Sequence, residues 1–134
     1  MTIVEEARSW IGTPYVSGAH LKRVGVDCVG LIIGVGKNCG FVDPDYHPGP
    51  YQDHDSELLQ RELARWMEPV KEAQPGDVLV LSLPMGRNHC AILVPDRRVV
   101  HVYGYKFGVT EHPLDDRWKG RVTGIWRWAI GESA

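Results

Sequence analysis

The chain has no excess of positive charge: 15 Lys and Arg stand against 17 Asp and Glu, a formal net charge of −2 over 134 residues. Neutralising phosphates needs a basic surface, so this composition predicts no nucleic-acid partner. Long hydrophobic runs are missing as well. The longest nearly unbroken one, Val29 to Gly36, falls far short of the roughly 20 residues that span a bilayer, so no membrane insertion is expected. The start, Met-Thr-Ile-Val-Glu-Glu, is acidic where a secretory leader would be basic, which predicts cytoplasmic synthesis without a signal peptide. Cysteine is scarce. Three thiols cannot all pair, and their spacing suits neither a disulfide framework nor a zinc ribbon. What remains is ordinary globular material, 43% hydrophobic and 24% charged, of a length suited to a single domain over 1–134.

Thr2 with Glu5 reads as a capping box, and Ile3, Val4, Ala7, Trp10 and Ile11 recur at helical spacing. Gly12 and Pro14 end that helix, and Thr13 to Gly25 read as a loop. Asp27 can cap a second helix from Cys28 to about Val35, although Leu31-Ile32-Ile33 suits a buried strand equally well. If the segment is helical, Gly30 and Gly34 share a face on which a sheet could pack closely. Residues 41–55 hold three prolines and four aspartates with no Lys or Arg, and read as a long acidic surface loop. Ser56 then caps a third helix with Leu58, Leu59, Leu63, Trp66 and Met67 on one face. After the turn Pro75-Gly76-Asp77 the period changes to two. Five β-rich runs follow, at 78–83, 89–94, 98–103, 107–111 and 125–130. Helices first and a strand meander after them predict an α+β fold, with helices packed on one face of an antiparallel sheet.

An isolated cysteine is most often a small buried hydrophobe. Cys28 differs because a first-turn position, capped by Asp27, favours a thiolate. A nucleophilic thiol also needs a general base. His20, His47 and His54 fall in loops and His112 at a strand end, where solvated side chains are expected. His89 and His101 fall inside strands. Alternation puts His89 with Ala91 on one face and Cys90 with Ile92 and Val94 on the other, while His101 shares a face with Val99 and Tyr103. On neighbouring strands the two imidazoles would lie side by side. The opposite facing of His89 and Cys90 argues against a metal site built from Cys28, Cys90 and His89.

These residues carry a resemblance. The run Trp10-Ile11-Gly12-Thr13-Pro14-Tyr15, then Gly18-Ala19, then Gly25-Val26-Asp27-Cys28-Val29-Gly30-Leu31 resembles the nucleophile block of the NlpC-type cell-wall peptidases, papain-like cysteine enzymes that cut peptidoglycan stem peptides. Pro75-Gly76-Asp77-Val78-Leu79 resembles the strand before the family's histidine block, His89-Cys90-Ala91-Ile92-Leu93 the block itself, and His101 falls at its third polar position. The resemblance implies a papain-like fold, with N-terminal helices on a five- to six-stranded antiparallel sheet and Cys28 opening a helix. It implies Cys28 as nucleophile, His89 as base and acid, and His101 as the residue orienting His89, with no cofactor and no metal. Tyr15 and Asp27 would contribute to substrate binding. The implied reaction is hydrolysis of an amide in a stem peptide, next to D-iso-glutamate.

Three positions depart from the family pattern: Val29 follows the nucleophile where serine is common, and Ala19 and Ala91 replace frequent glycines. Loss of the hydroxyl at Val29 puts free-amine specificity in question. The small architecture resembles members encoded among phage and prophage tail genes, which implies tail-tip partners and action on the wall from a virion. A muramoyl-alanine amidase, an amide transferase or a weakly active tail-tip structural protein are the alternatives on the same scaffold. Trp126 and Trp128 share a face that reads as core.

Overall fold

The computed structural model describes residues 2–49, 51, 56–103 and 106–129. Helix α1 (Ile3–Arg8) opens on the expected capping box, Thr2 accepting from the Glu5 N–H while the Glu5 carboxylate accepts from the Thr2 N–H. It ends three residues earlier than the apolar pattern suggests. The N–H groups of Ser9, Trp10 and Ile11 bond back in tight turns, Gly12 takes φ +95°, and Ile11 is exposed while Trp10 enters the core. Two short strands, β1 (His20–Leu21) and β2 (Gly25–Val26), form a ribbon inside the stretch that reads as loop.

The ambiguous second segment is helix α2 (Cys28–Asn38), buried from Cys28 to Gly36. Its glycines do permit close approach, but of the three only Gly36 meets the sheet, where a Cβ would stand 2.4 Å from the Trp128 ring. A Cβ on Gly30 would sit 2.1 Å from the Ala19 carbonyl oxygen, and one on Gly34 would sit 2.4 Å from the Trp10 ring. Trp10 is fixed there by Glu6, a carboxylate 2% exposed that accepts from Trp10 Nε1 at 2.8 Å and Asn38 Nδ2 at 2.7 Å and pairs with Lys22 at 2.9 Å. Burial opposes its ionisation, yet those three partners together hold the carboxyl below its usual range.

Helix α3 (Ser56–Trp66) begins at Ser56, so the cap position falls on Asp55, outside the described residues. A strand that the sequence does not announce, β3 (Met67–Pro69), follows directly. Then come β4 (Val78–Leu83), β5 (Arg87–Val94), β6 (Arg98–Val102) and β7 (Val109–Pro113), a one-turn helix α4 (Asp116–Lys119), and β8 (Val122–Trp128). The last two strands start and end a few residues away from their β-rich runs. Six strands pair antiparallel in the order β3-β8-β4-β5-β6-β7.

The fold is α+β, but both faces of the sheet are covered. On one face α1, α2 and α3 bury Cys90, Ile92, Val94, Val100 and Trp128, with Trp126 packed beside them. On the other, Leu79, Leu81, Ala91, Leu93 and Val99 pack with Leu114, Trp118 and Val122. The short α4 is too brief to register as helical periodicity, which is why the sequence predicts one covered face. Among the described residues no helix is long and apolar enough to cross a membrane.

Candidate active site

Cys28 is the first residue of α2 because Asp27 turns the chain into it. Asp27 holds extended φ and ψ of −110° and −176°, and its Oδ1 accepts from the Gly30 N–H at 2.7 Å. Its Oδ2 accepts from the Gly18 N–H at 2.7 Å, and the Tyr51 hydroxyl donates to both oxygens at 2.7–2.8 Å. With its carboxylate engaged this way and only 1% exposed, Asp27 locks loop, helix start and acidic segment together instead of presenting a charge to a ligand.

Tyr51 is a residue that sequence reading missed. Burial, and then the charge of Asp27, drive its phenol well above the ordinary range, so its hydroxyl stays protonated as a donor. The same loop is pinned again by Tyr46. That ring packs on Trp66 at 5.1 Å and its hydroxyl donates to the buried Glu62; burial and that bond push the phenol up to about 12. Among its described residues, Tyr46 and Tyr51 thus anchor the acidic segment to α3 and to the start of α2, while Asp43 and Asp45 stay exposed. Tyr15 is half-buried and bridges through its backbone to Val26, two residues before Cys28.

Cys28 is 6% exposed and meets the sheet at Cys90, whose Sγ lies 3.3 Å from the Cys28 carbonyl oxygen. Hydrogen bonding to Cys28, reinforced by complete burial, raises the Cys90 thiol well above its ordinary value. His89 precedes Cys90. As alternation on adjacent strands predicts, the His89 and His101 imidazoles lie together, Nε2 of His89 2.7 Å from Nδ1 of His101, both almost fully buried. They stand where β5 and β6 part. The ladder joins Ile92 to Val100, Leu93 to Val99 and Val94 to Arg98, beyond which β5 continues on β4 and β6 on β7.

His112 is not the solvated residue expected at a strand end. Its Nε2 lies 2.7 Å from His101 Nε2, and its Nδ1 2.8 Å from the Pro113 carbonyl oxygen. Burial, and then the neighbouring charge of His112, lower the His101 pKa to about 3, so His101 is neutral across the physiological range. Trp118 and Tyr103 wall the group, 5.4 and 6.1 Å from His101 by ring centroids. The same two rings, with Leu83, Pro84, Arg117 and Arg121, line a cavity of about 190 Å³. It carries two guanidinium groups and no carboxylate. Among the described residues no group of three or more His, Cys, Asp or Glu is arranged to hold a metal ion.

Comparison with known proteins bears on this arrangement. The profile described as NlpC/P60 family matches residues 12–127. The chain is 28% identical over 127 residues to the gamma-DL-glutamyl hydrolase of Bacillus subtilis (strain 168), covering 93% of this chain but only 28% of that protein. The NlpC/p60 domain of the peptidoglycan hydrolase SagA superposes with a TM-score of 0.64 at 25% identity, over 96% of this chain and 97% of that one. The peptidoglycan hydrolase RipB of Mycobacterium tuberculosis shares the fold, with a TM-score of 0.61 at 20% identity, over 96% of this chain and 63% of RipB.

Proposed function

The chain belongs to the NlpC/P60 family, and on that premise we propose that it is a cysteine hydrolase of peptidoglycan stem peptides, cutting an amide beside a γ-linked D-glutamyl residue. One observation carries this reading. A cysteine opening a capped helix meets, through Cys90, the strand that holds a buried imidazole pair at 2.7 Å. In this reading Cys28 is the nucleophile, His89 takes its proton, and neutral His101 orients His89. The thiolate attacks the amide carbonyl. The Cys28 N–H, at the helix start, faces the oxyanion that forms, a donor worth about 3 kcal/mol in comparable sites. His89 then protonates the departing amine, and water, giving its proton to His89, releases the acyl group from the thioester.

The choice of bond rests on the cavity beside the histidines. A γ-linked glutamyl residue leaves its α-carboxylate free next to the scissile amide, and Arg117 and Arg121 supply the charge that meets it. Replacing both by glutamine is expected to raise KM about tenfold for a peptide with a free α-carboxylate and to leave its carboxamide analogue unaffected. Equal losses on both substrates would remove the arginines from the reading. In this reading Tyr15, whose backbone bridges to Val26 just before the nucleophile, is a substrate contact. Delivery to the wall by tail-tip partners is the part of the reading that rests on sequence resemblance alone.

The direct test needs no substrate. Alkylation of each cysteine is followed against pH by peptide mapping, in the wild type and in His89→Ala. Cys28 is expected to react at least about tenfold faster than Cys39 and Cys90 below pH ~7, and to lose that advantage in the variant. Equal reactivity of the three thiols would exclude an activated nucleophile. Hydrolysis of L-alanyl-γ-D-glutamyl peptides, absent in Cys28→Ala, then separates this reading from the amidase.

A further inference from the structure

The three histidines form a single hydrogen-bonded file that ends on a backbone carbonyl. From it we propose that His112 is a positioning residue, which with the Pro113 carbonyl dictates that His89 carries its proton on Nε2 and keeps Nδ1 unprotonated. The inference rests on the catalytic reading of Cys28 and His89, and adds to it a residue on a third strand.

The fixed end of the file decides the rest. A carbonyl oxygen can only accept, so the 2.8 Å contact requires a proton on His112 Nδ1. Neutral His112 then has a lone pair on Nε2, and the 2.7 Å contact to His101 Nε2 requires the proton to sit on His101. A neutral His101 has one ring proton, so its Nδ1 is an acceptor. His89 Nε2, 2.7 Å away, must be the donor. That leaves His89 Nδ1 as the nitrogen able to take a thiol proton. The reverse polarity would set an unprotonated Nδ1 of His112 against the carbonyl oxygen, two acceptors facing each other, which forfeits a hydrogen bond in a half-buried place.

His101 is held neutral by the burial described above. His112 faces His101 from β6, with which it stacks edge-on at 4.7 Å, and Trp118 from α4 at 5.8 Å. Glu111, its neighbour in β7, is held by Arg8 and Arg98. Protonating His112 would turn the file around. With donors on both nitrogens it would force His101 to accept at Nε2 and donate at Nδ1, moving the His89 proton to Nδ1 and blocking the base.

Imidazole 15N shifts, which distinguish protonated from unprotonated ring nitrogens, test this in the whole protein. In Cys28→Ala near pH 7.5, where no thiol can hand His89 a second proton, neutral His89 is expected as the Nε2–H tautomer alone; the Nδ1–H tautomer would overturn the proposal outright. Adding His112→Ala to that background is expected to give both His89 tautomers, and His112→Ala alone is expected to reduce kcat about tenfold with KM unchanged. In His112→Gln, whose amide can donate to Pro113 and accept from His101, the single tautomer and most of the kcat are expected to return. A single unaltered tautomer in His112→Ala would show that His112 only packs. The NMR reading is independent of substrate, so a wild type that hydrolyses no γ-glutamyl peptide would sink the catalytic reading and leave the tautomer result standing.

Discussion

Replacing Gly30 by alanine is expected to destabilise the protein by about 4 kcal/mol, a fall of about 15 °C in Tm. The added Cβ would stand 2.1 Å from the Ala19 carbonyl oxygen and 3.0 Å from Asp27 Oδ1. Neither neighbour can step aside independently. The Ala19 oxygen accepts from the Asp27 N–H at 3.2 Å, and the Asp27 carboxylate is the cap of α2 and the anchor of the Gly18 and Tyr51 contacts. Room for the methyl therefore requires shifting a backbone segment and weakening a cap, itself worth about 1 kcal/mol. Gly40 supplies the comparison. There a Cβ meets nothing within 4 Å and only the left-handed φ of +83° opposes alanine, for about 1–2 kcal/mol. Urea or thermal unfolding of the two variants separates the terms. Equal losses would mean that the segment holding Ala19 is free to move away from α2, and that the start of this helix is not held as tightly as the contacts indicate.

Much of this architecture is written in local pattern. The capping box of Thr2 and Glu5 needs only residues three apart, and the alternation around His89 and His101 needs only the pleat, so both are legible in the amino-acid order. Even the pairing of the two imidazoles follows once β5 and β6 are neighbours. The start of α2 is different. Its apolar run fits strand or helix, and the resemblance to the NlpC-type nucleophile block is what chose between them. Residues whose role depends on a distant partner leave no local trace. Tyr51 sits among prolines and aspartates without periodicity, and its importance comes from a carboxylate 24 positions earlier. His112 ends a strand, where solvent is the ordinary neighbour; only the register that sets Val99 against His112 brings it over the edge of His101. Glu6 reads as a first-turn acidic residue and is in fact buried, because Trp10, Lys22 and Asn38 converge on it from three segments. Local pattern thus exposes the proposed nucleophile, base and orienting residue, and conceals the groups that hold them.

Acid is expected to unfold this protein earlier than its carboxylates alone would allow, with His101 as the cause. Its pKa in the folded protein is about 3, lowered by burial and then by the charge of His112, against an ordinary value of 6.5 once unfolded. Between those values the unfolded chain binds a proton that the folded protein refuses. Stability contributed by neutral His101 is complete above pH 6.5 and declines as the pH falls, by about 1.4 kcal/mol for each unit. About 2 kcal/mol is lost by pH 5, and about 4 kcal/mol by pH 3.5, a large fraction of a typical domain's stability. The carboxylates held below their usual range, Glu5, Glu6 and Glu111, work in a lower window, since their stabilisation is complete above the ordinary carboxyl value of 4.5 and fades only as the pH falls below it. The interval from pH 6.5 to 5 therefore isolates the histidines. His20, also lowered by burial, contributes a share that persists when His101 is changed. Urea titrations across that interval are expected to give a steep slope for the wild type and a much flatter one for His101→Gln, whose amide has no charge to gain. Because slopes are compared, a lower overall stability of the variant does not disturb the result. Parallel slopes would mean that the folded protein admits the proton on His101. His101 could then not remain neutral through the weakly acidic range, and the orientation of His89 would have to be set by something other than its neighbour on β6.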